Sequence, residues 1–124
     1  MKLSRLEAGL RAVIAFNEAF NRRDVAGMMA LVSDDCILEH NHPAPDGAVY
    51  SGKATVTQFW QNLIRDTPNV HSEIEQIFGL GIRCVMRWKC EWVNASGKKV
   101  HRRGVDIFEL RNGLICKQLS YAKR

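Results

Sequence analysis

The chain has 124 residues, 46% hydrophobic and 25% charged, with a net charge of +5. That length suits one domain with a real core, expected over residues 1–124, and the composition is globular rather than disordered. No apolar run approaches the ~20 residues of a membrane span, and the opening MKLSRLE lacks a signal peptide's apolar centre, so a cytoplasmic location without a membrane partner is expected.

Leu6, Leu10, Val13, Ile14, Phe16 and Phe20 follow helical spacing and predict a first helix over about residues 4–22. Asp24 is a good N-cap for a second, shorter helix carrying Met28, Leu31 and Val32, which Ser33, Asp34 and Asp35 end. Residues 36–40 alternate as a short strand with Cys36, Leu38 and His40 on one face, and PAPDG at 43–47 reads as a loop. A third helix opens at Ser51 or Gly52. It carries Val56, Phe59, Trp60, Leu63 and Ile64 at i, i+3, i+4, i+7 and i+8, and Pro68 marks its end.

The rest reads as strand. Residues 70–78 precede a turn at 79–81, and Ile82, Cys84, Met86, Trp88, Cys90 and Trp92 then alternate with more polar neighbours. Turns at 94–97 and at Asn112-Gly113 separate two further strands, Asn-Gly being a strong two-residue hairpin signal. The order predicts an α+β domain: three N-terminal helices packed on one curved antiparallel sheet, with a pocket on the concave side.

Turn lengths give the registers. A three-residue loop at 95–97 pairs Asn94 with Lys98, Trp92 with Val100, Trp88 with Gly104 and Met86 with Asp106. A two-residue turn instead puts Asp106 beside Val85 and Arg87. The first alternative gives Gly104 a reason, since it leaves room for the indole of Trp88. In the second hairpin, Arg111 opposite Leu114 pairs Phe108 with Lys117, Asp106 with Leu119 and Gly104 with Tyr121. One face then carries Asp106, Phe108, Leu119 and Tyr121, the other Val105, Ile107, Cys116 and Gln118. Both are partly apolar, so the second face is expected to meet a second subunit in a homodimer.

An aspartate in an apolar row is the most informative residue. A buried carboxylate is usually paired or has a raised pKa. It serves either as a catalytic group or as a structural one bonded to backbone or Arg102. The four cysteines have no C-x-x-C spacing and read as reduced, packed thiols. The basic run at 98–103 starts at a hairpin tip and divides between two strand faces, so no nucleic-acid partner is expected. His40 and His42 share a face, but no third ligand follows and no metal is expected.

The chain resembles the ketosteroid isomerase and SnoaL-like polyketide cyclase families of the nuclear transport factor 2-like superfamily. The likeness rests on FNEAFNRRDVAGMMALVSDD at 16–35, GKATVTQFW at 52–60 and GVDIFELRNGLI at 104–115. It implies a cone-shaped α+β barrel that hosts many activities. Asp106 matches the isomerases' oxyanion-hole acid and also the cyclases' acid/base position. Phe16 stands where the isomerases have a tyrosine, and His40, after Glu39, where they have a general-base aspartate. These departures argue against steroid isomerisation itself. The limonene epoxide hydrolase pattern, an Asp–Arg–Asp set, lacks its second carboxylate here.

The resulting expectation is a pocket for a small apolar or aromatic ligand, lined by Phe16, Trp60, Met86, Trp88, Phe108, Leu119 and Tyr121. His40 is the candidate base, since histidine titrates near neutral pH. A protonated Asp106 would stabilise an oxyanion, the use of a carboxylic acid for which ketosteroid isomerase is the known example. Tyr121 or Tyr50 is a substitute hydroxyl donor. The chemistry would be cofactor-independent proton transfer beside a carbonyl, by an isomerase, cyclase or dehydratase. Alternatives are a non-catalytic binding module and a dimeric adaptor, whose pocket its own side chains would fill.

Overall fold

The computed structural model describes residues 5–123, with side chains from residue 7 onward. Residue 4 and the side chain of Leu6, both counted in the first helix, lie outside the described residues. Helix α1 is Arg5–Asn21, α2 is Val25–Met29 and α3 is Lys53–Asp66; the strands are β1 Val32–His40, β2 Ala48–Ser51, β3 His71–Leu80, β4 Arg83–Val93, β5 Lys99–Arg111 and β6 Leu114–Ala122. They form a six-stranded sheet in the order β2-β1-β6-β5-β4-β3. Its outer strands, β2 and β3, are not partners of each other, so the curved sheet is unclosed.

The α+β fold matches the expectation, but several elements differ in extent or pairing, and the turn expected at 79–81 lies at 81–82 because β3 runs on to Leu80. Asp24 caps α2 by accepting from the Gly27 N–H at 2.9 Å, but the helix ends at Met29 and Val32 opens β1. Leu31 lies between them, its carbonyl accepting from the Ile115 N–H at 2.9 Å. Ser33, Asp34 and Asp35 therefore belong to β1, where a shift of register against β6 accommodates them. β2 was not foreseen: four residues without a buried side chain carry no periodic signal. Last, β1 runs parallel to β6, so the sheet is mixed rather than wholly antiparallel.

Helix α1 crosses the concave side of the sheet. Asn17 and Asn21 both donate to the Ser72 carbonyl at 2.9 Å, and the Ser72 N–H donates to Asn21 Oδ1 at 2.8 Å. These bonds tie the helix to β3, leaving Phe16 and Phe20 buried over the sheet. Helix α3 packs on β1 and β2. It turns Val56 and Trp60 into the core, as its spacing predicted. Between helices and sheet, Val13, Met28, Leu38, Cys84 and Phe108 are almost wholly buried.

The first hairpin has the register that the three-residue loop predicts, with Met86 opposite Asp106 and Trp88 opposite Gly104. A Cβ at Gly104 would collide with the Trp88 indole and with the carbonyl oxygen of Tyr121. The second hairpin departs from prediction. Leu110 pairs with Ile115, but Glu109 pairs with Lys117, leaving Cys116 as an extra residue in β6. One added residue reverses every side chain beyond it. Leu119 and Tyr121 therefore pair with Ile107 and Val105 on the far face, while Gln118 and Ser120 pair with Phe108 and Asp106. Tyr121 is 55% exposed, and Cys116 and Gln118, expected on that outer face, are buried.

Candidate functional site

The concave side holds two adjoining cavities. An inner chamber of about 100 Å³ lies among Phe16, Phe20, Trp60, Met86, Trp88 and Asp106. A wider vestibule of about 560 Å³ lies among Phe59, Tyr50, Trp92 and Arg102. Both are bordered by His40, Asn41, Leu63, Trp88 and Cys90. The aromatic wall is built edge to face: Phe16, Phe20 and Phe59 place their ring centroids 5.8, 5.7 and 5.1 Å from that of Trp60.

Alternation along β5 turns Asp106 inward, where it is 7% exposed. Its Oδ1 accepts from Trp88 Nε1 and its Oδ2 from Gln118 Nε2, each at 2.9 Å. The Ser120 side chain bonds the same carboxyl, and Ser120 Oγ itself accepts from Asn41 Nδ2 at 3.0 Å. With that oxygen receiving the amide, the hydroxyl proton is free to point at Asp106. Asp106 has no salt bridge among the described residues, so Arg102 is not its partner. Burial pushes its carboxyl above the ordinary aspartate value, while the bonds from Ser120, Gln118 and Trp88 pull the other way and lose.

His40 stands at the end of β1 with its ring 4.7 Å from that of Phe59. Its Nδ1 accepts from the His42 backbone N–H at 3.3 Å. In the neutral ring the proton therefore sits on Nε2. Burial, helped by the positive charges of His42 and Arg102, lowers His40 to about 4. The ring is neutral at pH 7, a weaker base than its residue type suggested. Among the described residues no group of three or more His, Cys, Asp or Glu side chains is arranged to hold a metal ion. Cys90 borders the cavity as a thiol, since burial pushes it up to about 11.

Of the expected site residues, His40, Asp106, Phe16, Trp60, Met86 and Trp88 border the inner chamber. Phe108 lies behind Phe16, centroids 6.1 Å apart, and is wholly buried rather than lining. Leu119 and Tyr121 are on the opposite face, because of the extra residue in β6, and Tyr121 cannot donate into the pocket. Tyr50 borders the vestibule only. Sequence reasoning missed Asn41, Gln118 and Ser120. The available signal was in β6, where Ile115 and Cys116 are consecutive apolar residues that break the strand's alternation.

Among the described residues no helix is long and apolar enough to cross a membrane. No curated protein matches the sequence. Several solved structures share the fold. An NTF2-like protein of unknown function from Mesorhizobium loti is 29% identical, with a TM-score of 0.81 over 100% of this chain and 98% of the other. A putative SnoaL-like polyketide cyclase from Jannaschia sp. CCS1 is 12% identical, with a TM-score of 0.84 over 99% and 90%. A Mycobacterium tuberculosis protein in complex with estradiol-17beta-hemisuccinate is 22% identical, with a TM-score of 0.80 over 92% of each chain. The SnoaL-like domain family matches residues 13–118, and with the fold and the cavity described above, the chain belongs to that family.

Proposed function

We propose that the cavity binds a small apolar or aromatic carbonyl compound and that Asp106 moves a proton beside the carbonyl, as an isomerase, cyclase or dehydratase requires. One observation carries the reading: a buried carboxylate without a cation forms part of the wall of an open, aromatic-lined chamber. The step breaks a C–H bond next to the carbonyl; the electron pair passes into an enolate and the proton to a base. Asp106 is that base. Both its oxygens accept hydrogen bonds, as a carboxylate's do, and burial makes it more basic than a free one. The neutral His40 offers its Nε2–H to the enolate oxygen. These roles reverse those expected from residue type alone. Structural similarity to a protein that holds a steroid ester is in keeping with a ring compound as ligand.

The test uses 2-tetralone in D₂O, followed by proton NMR. The protein is expected to accelerate exchange of the ketone's α-protons, and Asp106→Asn to lower that rate by at least about 100-fold while ligand affinity stays within a few-fold. Exchange no faster than in buffer, or full activity in the variant, removes the proposal. A second reading, binding without turnover, is favoured by the complete hydrogen bonding of Asp106, and binding without exchange would select it. An adaptor is disfavoured because the protein's own side chains leave the cavity open. A homodimer through Val105, Ile107, Leu119 and Tyr121 belongs to the same proposal.

A further inference from the structure

We propose that the ligand carries an anionic group remote from its reacting carbon, and that Arg102 at the cavity mouth receives it. The inference rests on the cavity being a ligand site, but not on the proton chemistry of Asp106. Arg102 pairs with Cys90 across the β4–β5 ladder, so its side chain leaves the sheet on the concave face, where it borders the vestibule. Three of the neighbouring cations have carboxylate partners. Lys89 and Lys99 are both paired with Glu91, and Arg103, projecting from the other face, is paired with Glu75. Arg102 has no ion pair among the described residues. Its guanidinium lies 6.0 Å from the centre of the Trp92 ring. An indole holds an arginine through its flat face and leaves the N–H edge free for a carboxylate, sulfonate or phosphate.

The one carboxylate bordering the vestibule among the described residues does not compete for Arg102. Asp66 is engaged by Arg65 at 2.9 Å, and His40 is neutral at pH 7. A positive charge at the mouth and an apolar chamber within select a molecule with one acidic end. Arg102 and Asp106 lie four residues apart on one face of β5, about 13 Å along an extended strand. That span fits two or three rings with the acid at the far end.

The test compares two dyes that differ by one sulfonate, 8-anilinonaphthalene-1-sulfonate and N-phenyl-1-naphthylamine, by fluorescence titration. Arg102→Gln is expected to weaken the sulfonate about tenfold and the neutral dye less than twofold. Arg102→Lys is expected to recover part of the loss. In a ¹⁵N-labelled sample the sulfonate should shift the indole N–H resonance of Trp92, which locates the dye in the vestibule. Equal effects on both dyes, or none on either, overturn the role of Arg102 and leave the cavity as a ligand site. If neither dye binds the unaltered protein, or neither disturbs Trp88 or Trp92, the ligand-site reading fails and this inference falls with it.

Discussion

The hydrogen bonds around Asp106 oppose the effect of its burial, and each can be removed separately. Ser120 is the most informative donor, because Asn41 holds its oxygen and leaves its proton for the carboxylate. Ser120→Ala removes a bond that favours the charged form, so the Asp106 midpoint should move up. A ¹³C-carboxyl NMR titration reads this directly, and an unmoved midpoint would show that the hydroxyl does not matter. Asp106 itself was legible in the sequence, because a three-residue turn fixes which residues face Met86 and Trp88. Its donors were not. Gln118 and Ser120 have the polarity of solvent-facing residues, and only the break in alternation at Cys116 reverses their direction.

Elements with strong periodicity were readable and those held by tertiary contacts were not. Helix α3 follows from the spacing of its apolar residues. β2 is an outer strand defined by its pairing with β1, and nothing local announces it. The length of α2 is a similar case. Asp24 specifies where it starts, but its end depends on Leu31 and Val32 being drawn into the sheet. Asp24→Ala removes the bond to the Gly27 N–H and should cost about 1 kcal/mol, measured as a lower urea midpoint with an unchanged slope. No loss would mean that packing of Met28 and Met29 alone holds the turn.

Across the whole molecule, two buried titratable groups of the cavity, His40 and Asp106, act on stability in opposite directions. His40 has a folded pKa lowered to about 4, so its contribution is fully present above its ordinary value near 6.5 and is lost as pH falls. Asp106 has a raised folded pKa. Its contribution is present below the ordinary carboxylate value and is lost as pH rises through the folded value. Between pH 6.5 and 4 the histidine term falls with acidification, by on the order of 3 kcal/mol at its full extent. Replacing His40 by Gln should flatten this part of the stability profile, measured by urea unfolding at pH 7 and pH 4.5. An equally steep acid loss in the variant would assign it to other groups.

The bond from Trp88 to Asp106 has an optical consequence. An indole's emission depends on the electric field along its ring, and a carboxylate at its N–H changes that field when it gains a proton. The chain has three tryptophans, and replacing Trp60 and Trp92 by phenylalanine leaves Trp88 as the sole indole. The remaining indole then reports the charge on Asp106 as a change in colour. The protonation state of the buried acid thus becomes visible in a cuvette before any substrate is known.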